Sequence, residues 1–357
     1  MSPTGITFTA TAAVGTTALT ALAVTVVLLA RRVSNSVGLD PPTKDMIAKE
    51  NAAEDCPLFR HLPQLATRLA WRSLGASMPT PIHVCTMEAL SACSSQKDFA
   101  AAGDEDDDNE TTENVPADST PRQQVRFLVK REDLINTTLY GGNKVRTLQH
   151  QLAVCEAKRQ FGLKAYRQLV SVGSGGSNQV VAAVVYGRTL GWDAANTEMT
   201  HESSSSCFAV NPCWFDKDAP DLDNTLNMLS VLSMASHTGW RFNWGERSIG
   251  KVIKGVWGGW SQKSCIPMML GGNCPSGVLG QVSGILELAE QIQAGKCPNV
   301  ERIYVPIGSA CTISGLIVGT VLARHLGLPV FESPEFCIVG CFVHPGMATL
   351  NRLCNFH

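Results

Sequence analysis

Lys130-Arg131-Glu132-Asp133-Leu134, followed by Gly141-Gly142-Asn143-Lys144, decides how the rest of this chain reads. Gly141 and Gly142 permit a tight turn, because glycine adopts positive φ without a Cβ clash. Asn143 is a good helix N-cap. The apolar spacing of Val145, Leu148 and Leu152 predicts a helix that opens at Lys144. A lysine in a first helical turn meets the positive end of the macrodipole, which disfavours the ammonium form.

A neutral lysine amine on a rigid turn is what Schiff-base chemistry with an aldehyde cofactor requires. The same residues also describe an ordinary surface lysine behind a glycine turn. The choice between the two rests on the rest of the chain.

Outward from Lys144, short apolar runs alternate with helical patterns. Strands are expected at 82–84, 125–129, 168–172, 266–270, 302–307 and 336–343. Helices are expected at 179–190, 226–235, 278–293 and 313–326, and an amphipathic segment at 58–74. Strands alternating with helices of this length imply βαβ units and parallel sheets. The fold class is therefore α/β, with a mostly parallel sheet flanked by helices. The polar stretch 194–224, with its serine run at 203–206, reads as an inserted loop. The acidic stretch 91–120, with Asp104-Glu105-Asp106-Asp107-Asp108, cannot bury a core and reads as a disordered surface insertion.

A chain of 357 residues can form two domains with a sizeable core. A net charge of -2 gives no electrostatic footprint for nucleic acid. The 13 cysteines contain no C-x-x-C pair, which suggests reduced thiols in a reducing compartment. His83, His237, His325 and His344 have no metal-ligand spacing, so no metal is expected. Residues 10–30 carry no charge and end at Arg31-Arg32, long enough as a helix to cross a bilayer core of ~30 Å. They are expected to anchor the chain in a membrane with its body in the cytosol. The alternative is a mitochondrial or other organellar transit peptide, since residues 1–39 are rich in Thr, Ser and Ala and contain no acid before Asp40.

Three expected strands run into glycine-bearing turns, at 173–178, 271–273 and 308–312. Open α/β sheets bind ligands at the carboxyl ends of their strands, where such turns lie. Gly308-Ser309-Ala310-Cys311-Thr312 offers backbone donors at a helix start plus the hydroxyls of Ser309 and Thr312, a set suited to a phosphate. None of the turns is a Walker motif or G-x-G-x-x-G, so a nucleotide is not indicated. Each turn alone could simply connect two elements. Ser177 and Asn178 stand at a helix start, where either could be an N-cap. Asn178 could equally hydrogen-bond a phenolic oxygen, and Ser177 could present its hydroxyl to a substrate. Cys311 is either a packing residue or a thiol activated by the helix terminus. Tyr140 is either a buried aromatic or a shield over the amine.

Taken in order, these blocks resemble a known family. Trp71-Arg72-Ser73-Leu74-Gly75 and Pro79-Thr80-Pro81-Ile82 precede the two blocks quoted first. Gly176-Ser177-Asn178-Gln179, Gly271-Gly272-Asn273 with Gly277 and Gly280, and Gly308 to Thr312 with Gly315-Leu316 follow them. The set is similar to the pyridoxal-phosphate enzymes of the tryptophan-synthase-β-like fold (fold type II). The closest branch is that of 1-aminocyclopropane-1-carboxylate deaminase and D-cysteine desulfhydrase, matched over about residues 57–346. The resemblance implies two open, twisted, mostly parallel sheets flanked by helices, pyridoxal 5'-phosphate (PLP) as cofactor, a small amino-acid substrate and a homodimer. It implies Lys144 as the Schiff-base lysine and proton shuttle, with Asn143 beside it among the cofactor-binding residues. Asn178 would lie on the cofactor's O3′ and Ser177 near the substrate. Gly308, Ser309, Ala310, Cys311 and Thr312 would hold the phosphate. The reaction implied is conversion of the amino acid to a 2-oxo acid and ammonia, with D-cysteine ahead of the cyclopropane acid.

The domains expected on this basis are a targeting segment at 1–32, a linker at 33–56, and a larger PLP-binding domain from 57–149 and 266–357. A smaller domain would span 150–265. Three departures stand out. The family has two glycines where this chain has Ala310 and Cys311. The insertions at 91–120 and 194–224 are unusual. The chain ends at His357, soon after Gly346, so the family's later helices, its tyrosine-bearing turn and the group facing the pyridine nitrogen are expected to be missing. That C-terminally incomplete form would leave an exposed strand edge. It also leaves open a catalytically silent, membrane-tethered homologue as the alternative.

Overall fold

The computed structural model describes residues 52–88, 124–135, 140–161, 166–194, 208–214, 222–234 and 265–343. In chain order these form α1 (Pro57–His61), β1 (Ile82–Glu88), β2 (Gln124–Lys130), α2 (Lys144–Phe161), β3 (Gln168–Gly173), α3 (Asn178–Thr189) and β4 (Asp193–Ala194). There follow β5 (Ala209–Trp214), α4 (Leu222–Met234), β6 (Cys265–Met268), α5 (Pro275–Gln293), β7 (Arg302–Ile307), α6 (Cys311–His325) and β8 (Cys337–Phe342). They divide into two compact units, Thr80–Arg131 and the remainder.

The small unit is an antiparallel pair, with β1 and β2 in register from Ile82↔Lys130 to Glu88↔Gln124. Lys130 Nζ donates to Thr80 Oγ1 at 2.6 Å, and Arg131 Nη1 lies 3.1 Å from His83 Nδ1. Both basic residues of the opening motif therefore have polar partners inside this pair.

The large unit is built on a four-stranded parallel sheet in the order β4-β5-β3-β6. A separate parallel pair, β7 and β8, is in register from Arg302↔Cys337 to Ile307↔Phe342. The α/β class with parallel sheets is thus observed. The stretch 194–224 is not all loop, contrary to the sequence reading. Ala209–Trp214 is the fully buried strand β5, lying between β4 and β3, and α4 begins at Leu222. Asn211 and Pro212 disguise it, because proline normally argues against an inner strand. Here β4 pairs only with Ala209 and Val210, so Pro212 stands beyond its reach. The pairing with β3 outweighs the local signal.

The membrane-anchored localisation is corrected. No helix among the described residues is long and apolar enough to cross a membrane. Residues 10–30, and the acidic insertion at 91–120, lie outside the described residues.

The core gathers Leu148 and Leu152 of α2, the run Val180 to Tyr186 of α3, Trp192, and strand residues Leu169, Val210, Ile266 and Met268. Cys56, Cys155, Cys213, Cys274 and Cys311 are buried free thiols that act as small core residues.

From Val145 to Cys155 every side chain of α2 is buried, polar ones included. Such a helix is stable only if its polar groups find partners. Arg146, 1% exposed, lies between two carboxylates. Its Nε donates to Glu132 Oε2 at 2.6 Å, and its Nη1 and Nη2 reach Glu287 at 3.1 and 2.9 Å. Burial works against its charge, yet the attraction of Glu132 and Glu287 holds the guanidinium above its ordinary pKa. His150 Nδ1 faces the Ala70 carbonyl at 2.8 Å, and burial pushes the imidazole down to about 4.

The buried groups of α2 can be tested by substitution. Arg146→Met removes the guanidinium that meets both carboxylates and should cost about 3–5 kcal/mol in urea unfolding; a loss below ~1 kcal/mol would contradict the described triad. For His150 the folded pKa lies below the unfolded value near 6.5. The native state therefore binds fewer protons between the two, and stability present above pH ~6.5 is lost as the pH falls toward ~4. The full difference is about 3 kcal/mol at ~1.4 kcal/mol per unit. His150→Gln should flatten that part of the stability-versus-pH curve, and an unchanged acid limb would count against it.

Candidate functional site

Three segments meet at one carbonyl oxygen. Lys144 Nζ donates to Gly271 O at 3.0 Å. Ser309 Oγ donates to the same oxygen at 3.3 Å. Asn273 Nδ2 donates to Ser309 O at 2.6 Å, and Asn143 Nδ2 donates to Thr312 Oγ1 at 3.3 Å. The turns 141–144, 271–273 and 308–312 are therefore joined by side-chain bonds.

Local backbone chemistry explains the convergence. Gly271 and Gly272 sit at φ 61° and 77°, where a Cβ is costly. A Cβ on Gly271 would also overlap the Ser309 side chain. Glycine at 271 is thus required twice, for its dihedral and for the approach of the other turn. A Cβ on Gly280 of α5 would overlap the Arg146 carbonyl, so this glycine lets α5 press against the start of α2.

Lys144 is half-buried at the first position of α2, as the spacing of Val145, Leu148 and Leu152 predicts. Its ammonium is disfavoured, and its pKa lies below the ordinary lysine value, chiefly because burial removes water; Cys311 opposes the shift. The helix-start position points to the dipole as the cause, whereas in the structure burial carries the shift.

At the 308–312 turn, Ala310 adopts φ 65° and ψ -1°, a left-handed residue immediately before α6. The first-turn N–H groups at Cys311, Thr312 and Ile313 have no acceptor within the helix, as at any helix start, whereas Ser314 N already bonds Ala310 O. Thr312 Oγ1 accepts from Asn143, which leaves its hydroxyl hydrogen to donate outward. Ser309 directs its hydrogen to Gly271 O. The expected crowding by Ala310 and Cys311 does not arise on the cysteine side. Cys311 is buried, with Sγ 3.4 Å from Gly272 O, pointing back into the protein. Burial pushes its thiol up to about 11, so it is a packing residue and not an activated nucleophile.

Ser177 and Asn178 open α3. Ser177 occupies the N-cap position without a side-chain cap bond, so its hydroxyl is not committed there. Asn178 is exposed, and its Oδ1 accepts from Tyr140 Oη at 2.8 Å and from Asn227 Nδ2 at 2.9 Å. Tyr140 is held in turn by Tyr186, whose hydroxyl donates to its carbonyl. Burial pushes the Tyr140 phenol up to about 12, so it stays a donor. These bonds tie Asn178 to the residue four before Lys144, and not to the 308–312 turn. Asn227 escapes the sequence argument, because a polar residue on a helix face carries no motif.

The donor set suits an aldehyde with an anionic tail. It holds a half-buried amine of lowered pKa, an adjoining helix start with the Thr312 hydroxyl, and the exposed amide of Asn178.

No family model matches the chain, and no curated protein matches it. Among solved structures it is similar to an ACC deaminase homologue, at 17% identity over 84% of this chain and 70% of that one, with a TM-score of 0.48. It is also similar to a threonine deaminase from T.th., at 14% identity over 50% and 46% of the two chains, with a TM-score of 0.32. Both scores lie below 0.5, so neither likeness decides fold or activity.

The left-handed Ala310 supplies a prediction. A non-glycine residue there costs roughly 1–2 kcal/mol, partly offset by glycine's greater freedom when unfolded. Ala310→Gly should raise stability by about 0.5–1 kcal/mol in thermal unfolding. A lower melting temperature would show that the turn is not left-handed at this position.

Proposed function

We propose that this chain binds PLP at Lys144 and acts as a PLP-dependent lyase or deaminase on a small amino acid. The observation that supports the reading is the shared acceptor Gly271 O, which brings the Lys144 amine and Ser309 of the anion-suited turn to one point. When bound, the cofactor supplies an electron sink for charge that develops at the substrate's α-carbon.

Each residue then has a task. The N–H groups at the start of α6 and the Thr312 hydroxyl hold the phosphate. Asn143 positions Thr312 through their 3.3 Å bond. Asn178 donates its amide to the phenolic oxygen of the ring. Lys144 Nζ, its charged form disfavoured by burial, takes a proton from the α-carbon and returns one later. The uncommitted Ser177 hydroxyl faces the substrate's carboxylate. The products are a 2-oxo acid and ammonia, with sulfide when the substrate is D-cysteine. D-cysteine is our first substrate, and 1-aminocyclopropane-1-carboxylate the second.

Incubation with excess PLP should give a visible absorption band that Lys144→Ala lacks. Sulfide release from D-cysteine should fall at least about a hundredfold in the variant, the usual contribution of a proton-transferring group. Release of 2-oxo acid from the cyclopropane acid but not from D-cysteine would reverse the order of substrates. No band in the wild-type chain would refute the proposal.

A further inference from the structure

We infer that Asn227, on α4, is a positioning residue that sets which end of the Asn178 amide faces the ligand; this rests on the PLP reading of the Lys144 site. An asparagine side chain has a donor end and an acceptor end that look alike in shape, so its orientation is decided by its partners. Asn227 Nδ2 lies 3.0 Å from Gly176 O and 2.9 Å from Asn178 Oδ1. A backbone carbonyl can only accept. The atom of Asn227 that meets it must therefore be the amide nitrogen. That same nitrogen faces Asn178, so Asn178 must turn its oxygen toward Asn227. Tyr140 Oη donates to this oxygen as well, at 2.8 Å. With two donors on Oδ1, the Asn178 nitrogen is left as the outward end. The Gly176 carbonyl thereby fixes, through Asn227, a donor where the site meets an oxygen.

The backbone is shaped for this relay. Gly176 has φ 75°, and a Cβ there would stand 2.5 Å from Asn224 Cα, one helical turn before Asn227. Only glycine lets α4 approach closely enough for Asn227 to reach the 176 carbonyl. Asn227 is half-buried, and its two described bonds both run to the 173–178 turn.

An outward donor favours an ionised phenolic oxygen, whereas an outward acceptor favours a protonated one. Asn227→Asp removes the donor while keeping the shape. The Asn178 amide then turns its nitrogen toward the new carboxylate and its oxygen toward the ligand. The experiment records the absorption spectrum and dissociation constant of PLP on the full chain, with thermal melting of the cofactor-free protein as a folding control. Asn227→Asp should move the bound cofactor's visible band toward the near ultraviolet and raise the dissociation constant about tenfold, the equivalent of one hydrogen bond. In an Asn178→Ala background the same substitution should change neither quantity further. Asn227→Leu decides the matter if Asn227→Asp does not fold, through the same tenfold weakening. A band and affinity like those of the wild type in the folded variant would overturn the inference while leaving the PLP reading intact. A wild-type chain that forms no band would remove the PLP reading instead, and the inference with it.

Discussion

The site depends on one backbone carbonyl, that of Gly271. It accepts a hydrogen bond from Lys144 and another from Ser309, at 3.0 and 3.3 Å. These bonds pull a helix start, a glycine turn and a strand-to-helix turn into one place. The constraint is steric before it is electrostatic. A side chain at 271 would occupy the position of Ser309, and a side chain at 280 would hold α5 away from Arg146. Close packing lets a lysine at the first position of α2 be half-buried instead of reaching into solvent. Its lowered pKa follows from that burial.

The helix carrying the lysine is itself unusual. α2 is enclosed along most of its first three turns, and its buried polar side chains reach partners on several other segments. Arg146 between Glu132 and Glu287, His150 on Ala70 O, and Gln151 on Gly272 O each anchor a different neighbour. Gln151 also links α2 to the same glycine turn that receives Lys144. The network that supports the helix thus also holds the acceptor in place. Burying these groups costs desolvation, and the return is the Lys144 amine held at a fixed position.

Much of this is legible in the residues. Val145, Leu148 and Leu152 locate α2, and alternating apolar runs locate β3, α3, α5, β7 and α6. Glycines at 142, 176, 271 and 272 do take positive φ, the role that their turns suggest. Strand β5 is hidden by Asn211 and Pro212, whose local preferences yield to pairing with β3. The cause of the Lys144 shift is also hidden, because burial is a property of tertiary packing. Asn227 and the Tyr140–Asn178 bond join residues far apart in sequence, and no spacing rule connects them. For Cys311 the residues allow packing or activation, and its inward side chain toward Gly272 O decides for packing.

The most direct test is to treat the chain with PLP, reduce it with borohydride, digest it, and locate the attached pyridoxyl group by mass spectrometry. Binding at Lys144 gives a single modified peptide bearing the group on that residue, with inorganic phosphate in excess slowing its formation. Modification spread over surface lysines with Lys144 untouched would contradict it.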